Sequence, residues 1–409
     1  MSIIVQKYGG TSVGSPDRIK NVAKRVIAYK EKGHEMVVTV SAMSGETDRL
    51  LGLAKQMSDE PDERELDMMV STGEQVSIAL LAMALKSMGH EAISMNSSQA
   101  GIYTDSSHTK AKIEKIHSEK IEKELKKGKI VIVAGFQGID ENGNITTLGR
   151  GGSDTTAVAV AAAIKADKCE IYTDVDGIYT ADPRFVKNAQ KLKYITYDEM
   201  LELAALGAKV MHSRSIEFAK KYNVALEVRS SFSDAEGTII LKEYEGMEKV
   251  VVAGITCKKD EAKVSIVGLP DKPGIAALVF GKMAEANINV NMITQSSLSQ
   301  KSGTNNISFT FPLGDFKKAQ SVIETIKKEL SPEEIVFDDH IAIVSVVGVG
   351  MKTNVGVASG LFAVLGKNAI NIQMIGTSEI KISVVIDKNR ADDSVALLHE
   401  HFKLDKLSQ

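Results

Sequence analysis

Short aliphatic runs alternate with longer stretches of helical periodicity through the first half of the chain. Ile3-Ile4-Val5 opens the series, followed by a helix that Ser15-Pro16-Asp17 can start and Gly33 can close. Met36-Val37-Val38-Thr39-Val40 and Ile130-Val131-Ile132-Val133-Ala134 are almost continuously apolar. Such runs suit parallel strands covered on both faces, because a half-exposed antiparallel strand shows a polar residue at every second position. Leu226-Glu227-Val228-Arg229 reads as a further strand. Helical stretches are expected at 76–88, 109–127, 157–166 and 197–209, with Met68, Met69 and the apolar residues of 76–88 in the core. The pattern predicts an α/β sandwich on a mainly parallel sheet, ending near residue 243.

The second half contains a repeat. Ile288-Asn289-Val290-Asn291-Met292-Ile293 returns as Ile370-Asn371-Ile372-Gln373-Met374-Ile375, 82 residues on. Each copy reads strand, glycine-bearing loop, helix, two strands and helix. First strands are expected at 264–267 and 343–347, and closing helices at 316–330 and 391–402. The first copy gains a last strand at Ile335-Val336-Phe337, whereas 403–409 makes a poor strand. Residues 249–256, which precede the first copy, have the apolar, β-branched composition to complete the second. The expected domains are 1–245, 262–339 and 340–409.

Composition narrows the partners. A chain of 409 residues exceeds the ~250–300 at which single cores stop growing, in keeping with several domains. Lys plus Arg is 50 and Asp plus Glu is 53, so no positive excess draws the chain to nucleic acid or anionic membrane, and neither is expected as a partner. No apolar run approaches the ~20 residues of a span, and the first residues lack the features of a signal peptide, so a cytoplasmic location is expected. The two cysteines have no disulfide or zinc-ligand spacing and read as core thiols, and the eight histidines show no metal-ligand or triad spacing.

Several polar clusters sit where strands run into helices. Lys7-Tyr8-Gly9-Gly10-Thr11-Ser12 places a cation and unhindered amides where an anion meets converging donors, although a glycine pair also makes an ordinary tight turn. Thr147-Leu148-Gly149-Arg150-Gly151-Gly152-Ser153-Asp154 combines an arginine fork, flexible backbone and a carboxylate. A helix cap accounts for Ser153 or Asp154, but not for the arginine and glycines. Ser41 to Asp48 follows the second strand at the edge where open α/β sheets bind ligands. Ser71-Thr72-Gly73-Glu74 reads by itself as a capping box. Thr173 to Arg184 is dense in turn formers, with Tyr179 for a base and Arg184 for a phosphate. Walker and dinucleotide fingerprints are absent.

These stretches, with Gly207-Ala208-Lys209-Val210-Met211-His212, closely resemble the signature segments of aspartate kinases, and the two repeats resemble ACT domains as arranged in the monofunctional members regulated by lysine and threonine. The resemblance covers essentially the whole chain. It implies an amino acid kinase fold followed by two α+β, ferredoxin-like βαββαβ modules. It also implies transfer of the γ-phosphoryl of MgATP to the β-carboxylate of L-aspartate, the first step towards lysine, threonine and methionine. Magnesium is then carried by the nucleotide. Matched residue by residue, Lys7, Arg150 and Asp154 are the catalytic set. Ser41, Thr47, Glu74, Arg150, Gly151, Gly152, Ser153 and Asp154 hold aspartate, with Arg150 on its α-carboxylate and Asp154 on its ammonium. Lys7, Tyr8, Gly9, Gly10, Thr173, Asp174, Tyr179, Asp182, Arg184 and Lys209 match ATP contacts, Tyr8 replacing the phenylalanine of many members.

In the repeats, Asp271, Gly274, Ile275, Ala276, Asn289, Val290, Asn291, Gln295, Asn371, Ile372, Ser378 and Glu379 match effector contacts for lysine, threonine or both. The resemblance also implies pairing of ACT modules into a homo-oligomer, or a hetero-oligomer with a regulatory subunit started at Met247. Two rivals remain: a sensor that keeps the fold without chemistry, and a kinase for another amino acid. Intact Lys7, Glu74, Arg150 and Asp154 weigh against the first.

Overall fold

The computed structural model describes residues 2–206, 210–247, 250–297 and 303–407. By its internal packing the chain divides into two units, 1–178 with 191–245, and 179–190 with 246–408. The first domain expected at 1–245 is thus interrupted by residues 179–190, of which Ala181 and Val186 are buried in the second unit's core while Phe185 stays half exposed.

The first unit is built on eight strands in the order Tyr194–Thr196, Thr238–Leu241, Leu226–Ser230, Lys168–Thr173, Ile3–Tyr8, Glu35–Val40, Ile130–Ala134 and Ala92–Met95. All neighbours are parallel except Leu226–Ser230 with Thr238–Leu241. Helices Pro16–Glu31 and Thr72–Ser87 cover one face, where Val22, Val26, Leu81 and Leu85 meet Tyr8, Met36, Val38 and Ile132. Val5, Val37, Val131 and Val133 point the other way and are also completely buried, which is why these strands lack alternation. Helix Gly152–Ala163 lies against the central strands with nearly every residue buried. A small sheet of Ile113–Ile116, Ile102–Thr104, Gln137–Ile139 and Ile145–Thr147 completes the unit.

Two expectations fail here. Residues 109–127 are not one helix: Ile113–Ile116 is a strand and only Glu119–Lys126 is helical. Met68, Val76 and Met83 are 46%, 50% and 64% exposed, because they occupy the outward faces of helices Glu63–Val70 and Thr72–Ser87. Of the cysteines, Cys169 is buried and Cys257 only partly so.

In the second unit each module is an antiparallel sheet covered by two helices. The first orders Ile293–Ser297, Thr304–Pro312, Glu261–Pro270 and Glu334–Asp338 under helices Ile275–Glu285 and Phe316–Leu330. The second orders Gly254–Lys258, Ile341–Val347, Lys381–Asp387 and Met374–Thr377 under Val357–Lys367 and Ala391–His401. Gly254–Lys258 pairs with Ile341–Val347, so a strand before the first module lies in the sheet of the second, though it starts at Gly254 and runs to Lys258 rather than spanning 249–256.

Candidate active site

Lys7 stands at the carboxyl end of the central strand Ile3–Tyr8, and its Nζ lies 2.6 Å from Asp154 Oδ1 in the first turn of helix Gly152–Ala163. Both side chains are nearly buried, at 12% and 11% exposure, so the pair acts where water screens it weakly. Tyr8 beside it is fully buried and stacks on Tyr172 with ring centroids 4.7 Å apart, which locks the two strands carrying Lys7 and Thr173. Gly10 is required sterically: a Cβ there would stand 2.9 Å from the carbonyl oxygen of Ala42. The loop after Lys7 and the loop after the neighbouring strand Glu35–Val40 are thus in backbone contact.

Glu74 reaches that contact. Ser71 makes no side-chain cap to its helix, so the capping-box reading of Ser71-Thr72-Gly73-Glu74 does not hold. Instead the N–H of Ala42 donates to Glu74 Oε1 at 2.9 Å. Glu74 is 3% exposed, and its Oε2 has no partner among the described residues. Burial pushes the carboxyl up to about 7, with the Ala42 N–H pulling the other way. Ser41 adjoins Ala42, its N–H donating to the carbonyl of Tyr8, and Thr47 lies in the first turn of helix Glu46–Met57.

The loop 147–151 is held by residues that sequence reading passed over. Asp67, fully buried, accepts from the N–H groups of Thr109 and Thr147, from Thr147 Oγ1 and, at 2.9 Å, pairs with His108 Nδ1. Arg214 donates to the carbonyls of Leu148 and Ala111 at 2.8 and 2.6 Å. Gly151, not Ser153 or Asp154, is the N-cap of the following helix, with φ at +71°, and His212 packs on it so closely that a Cβ would stand 2.2 Å from the His212 Cβ. Phe136, with φ at +68°, lies against Gly152, and Gly135 lies against Ser153 and the carbonyl of Val40. A Gly-Phe turn after an apolar strand is the one signal for it, and a weak one. Arg150 is exposed on this loop, while Ser153 and Asp154 are buried.

Thr173 ends the strand beside Ile3–Tyr8 and Asp174 follows it, with Thr173 Oγ1 donating to Asp174 Oδ1 at 3.0 Å. Tyr179, Asp182 and Arg184 belong to the second unit. There Arg184 grips Asp182 through Nε and Nη2, the latter 2.6 Å from Oδ2, and that pairing holds the carboxyl below its ordinary range. Lys209 lies outside the described residues.

A model of the amino acid kinase family matches residues 2–230, and one of the ACT domain matches 264–326 and 344–402. The chain is 54% identical to the aspartate kinase of Pseudomonas putida over 99% of its length and 98% of that protein's. It is 51% identical to aspartokinase 2 of Bacillus subtilis over 99% of each. The chain belongs to the aspartate kinases. Escherichia coli aspartokinase III, solved with aspartate and ADP and also with lysine and aspartate, is similar in structure. The TM-score is 0.80 at 25% identity, over 98% of this chain and 99% of that one. As an aspartate kinase the protein is a phosphotransferase with a kinase domain and two ACT domains.

In the ACT half of this aspartate kinase the effector-matched residues fall in three groups. Asp271, Gly274, Ile275 and Ala276 form the loop and first turn of helix Ile275–Glu285, where Gly274 caps with φ at +95° and Asp271 accepts from Asn305 Nδ2 at 2.7 Å. Asn289, Val290 and Asn291 precede the strand holding Gln295, and Asn371 and Ile372 precede Met374–Thr377. Asn291 Nδ2 donates to the buried carboxylate of Glu261 at 2.7 and 2.8 Å. Glu379 pairs with Lys352 at 2.8 Å, and its neighbour Ser378 is exposed.

Proposed function

We propose that Lys7, Arg150, Asp154 and Glu74 carry transfer of the γ-phosphoryl of MgATP to the β-carboxylate of L-aspartate, giving 4-phospho-L-aspartate and ADP. The observation that supports this most is the nearly buried Lys7–Asp154 pair at the head of a buried helix. A carboxylate is already ionised at neutral pH, so the acceptor needs no general base, and positioning with charge neutralisation remains as the protein's task. A β-carboxylate oxygen forms the new bond to the γ-phosphorus as the bond to the β,γ-bridging oxygen breaks and its electron pair leaves on ADP.

Lys7 Nζ, held by Asp154 Oδ1, meets the charge on the migrating group, and the Gly9 and Gly10 amides add donors. Asp154 Oδ2 and the unpartnered Glu74 Oε2 are acceptors for the substrate ammonium. Arg150 takes the α-carboxylate with both arms of its fork. Ser41 and Thr47 orient the substrate, and Gly151, Gly152 and Ser153 line the junction with the nucleotide. Thr173, Asp174, Tyr179, Asp182, Arg184 and Lys209 serve ATP. Magnesium, carried on the phosphates, supplies charge neutralisation when bound. A hydroxamate assay offering aspartate, glutamate and acetylglutamate tests the reading: product from aspartate alone is expected, and equal product from glutamate overturns it.

We further propose feedback by lysine, threonine or both, at the start of lysine, threonine and methionine synthesis in the cytoplasm. The loop at Asp271–Ala276 supports it, since exposed amides at a helix start suit an amino acid's carboxylate. For lysine, the ε-ammonium goes to Ser378 and Glu379 and must displace Lys352. Titrating activity with each amino acid and with both decides this. Assembly follows as a homo-oligomer through ACT modules or with a regulatory chain begun at Met247, and native mass measurement separates the two.

A further inference from the structure

Residues 179–190 interrupt the first unit in sequence yet are packed in the second. Ala181 and Val186, each 3% exposed, share a core with Val252, Ile255, Val344, Leu361 and Leu398. Thr180 fastens the excursion at its base. Its N–H donates to the carbonyl of Gln190, and its Oγ1 accepts from the N–H of Gln190, both at 2.9 Å. Its carbonyl accepts from the N–H of Ile255 at 2.8 Å, and a Cβ on Gly254 would stand 3.1 Å from that oxygen.

One more contact joins Thr180 to the far end of the chain. Its Oγ1 lies 2.9 Å from Nε2 of His399 on helix Ala391–His401. His399 is 1% exposed, and its Nδ1 has no partner among the described residues. Burial keeps the ring from taking a proton, with the charge of Asp405 opposing. A buried imidazole with one nitrogen unpaired costs stability that an aliphatic side chain of similar size would not. What the residue contributes in return is direction: a satisfied polar contact in a core fixes one arrangement where apolar packing tolerates several. The arrangement fixed is that of the turn beginning two residues after Thr180, where Asp182 and Arg184 interlock with the guanidinium facing solvent.

We infer that His399, deep in the ACT half, is a positioning residue for the kinase reaction, acting through Thr180 to hold the Asp182–Arg184 turn in the form that binds MgATP. The inference rests on the nucleotide role proposed above for Tyr179, Asp182 and Arg184. It gives the ACT core a direct mechanical hold on residues assigned to ATP.

The test is steady-state kinetics of the full-length enzyme with MgATP and aspartate varied in turn. Thr180→Val and His399→Leu each raise KM for MgATP about fivefold, the worth of a hydrogen bond, and change KM for aspartate by less than about twofold. Thr180→Ser and His399→Gln, which keep a hydrogen-bonding group, stay near the parent. Arg184→Ala raises KM for MgATP as well. If Arg184→Ala leaves that KM unchanged, the nucleotide role fails and the inference with it. If Arg184→Ala raises it but Thr180→Val and His399→Leu do not, the anchoring role alone is overturned, including the case where both only lower the melting temperature. Should Thr180→Val not fold, the His399→Leu and His399→Gln pair carries the same comparison.

Discussion

A carboxyl group buried with no charged partner holds its proton longer than one in water, and Glu74 is such a group: burial outweighs the backbone donors of Ala42 and of Glu74 itself and pushes its pKa up to about 7. The folded protein keeps that proton between about pH 4.5 and 7 while the unfolded chain has released it, so this residue makes stability fall as pH rises through that window. Glu74→Gln removes the penalty and is expected to gain up to about 3 kcal/mol on the parent at pH 8 and little at pH 4, read by urea denaturation at both. The same substitution raises KM for aspartate, because the ionised carboxylate is the partner proposed for the ammonium. Lys7→Ala has the opposite profile: kcat falls about 10²- to 10³-fold while KM for aspartate stays within a few-fold, as for a group that acts on the transition state. Lys7 and Asp154 each had a bland reading in the sequence, a tight glycine turn for the one and a helix cap for the other, and only the arginine and glycines beside Asp154 pointed past it; the fold brings the two side chains to 2.6 Å. Glu74 was not legible from its own segment. Ser-x-x-Glu has a local explanation, and its actual partner, the Ala42 amide, is 32 residues away.

At the scale of elements, the apolar runs located the central strands because burial on both faces leaves no alternation to misread. The stretch 109–127 failed for the converse reason. Its composition suits a helix, but buried Asp67 captures the N–H of Thr109, whose φ is +64°, and turns the chain into the strand Ile113–Ile116. A single distant carboxylate outweighs local propensity there, and no pattern within the segment reveals it. Helix Thr72–Ser87 was over-read as core: its spacing shows one buried stripe, but Val76 and Met83 lie off that stripe and remain exposed. The turn at Gly135-Phe136 went unnoticed, yet the packing predicts a sharp effect. A Cβ on Gly135 would stand 2.6 Å from Ser153 Oγ and 3.0 Å from the carbonyl of Val40. Gly135→Ala must push helix Gly152–Ala163 away from the sheet edge that carries Lys7. A loss of about 1–3 kcal/mol in chemical denaturation is expected, with a fall in kcat that exceeds the change in either KM.

For the whole molecule, the strand Gly254–Lys258 decides where the regulatory half can be cut. It pairs with residues 343–347 of Ile341–Val347, a strand whose seven residues are all buried, and Val250, Val252, Ala253 and Ile255 around it are buried too. A fragment of residues 262–409 lacks these apolar groups and leaves a buried strand with an open edge, whereas a fragment of 247–409 keeps them. Burying a Val or Ile side chain contributes about 1.5–3 kcal/mol, so losing three of them takes away an amount comparable with the about 5–15 kcal/mol by which a small domain is folded. Fragment 247–409 is therefore expected to unfold cooperatively in a circular-dichroism melt, and 262–409 to aggregate or melt without a transition. Residues 179–190 add a second step to the series. Ala181 and Val186 fill the same core, so supplying 179–190 as a peptide should raise the melting temperature of 247–409 in proportion to peptide binding. Equal melting curves for the two fragments would mean that the ACT sheets close without the strand, and that the insertion of one module within the other is a matter of chain order alone.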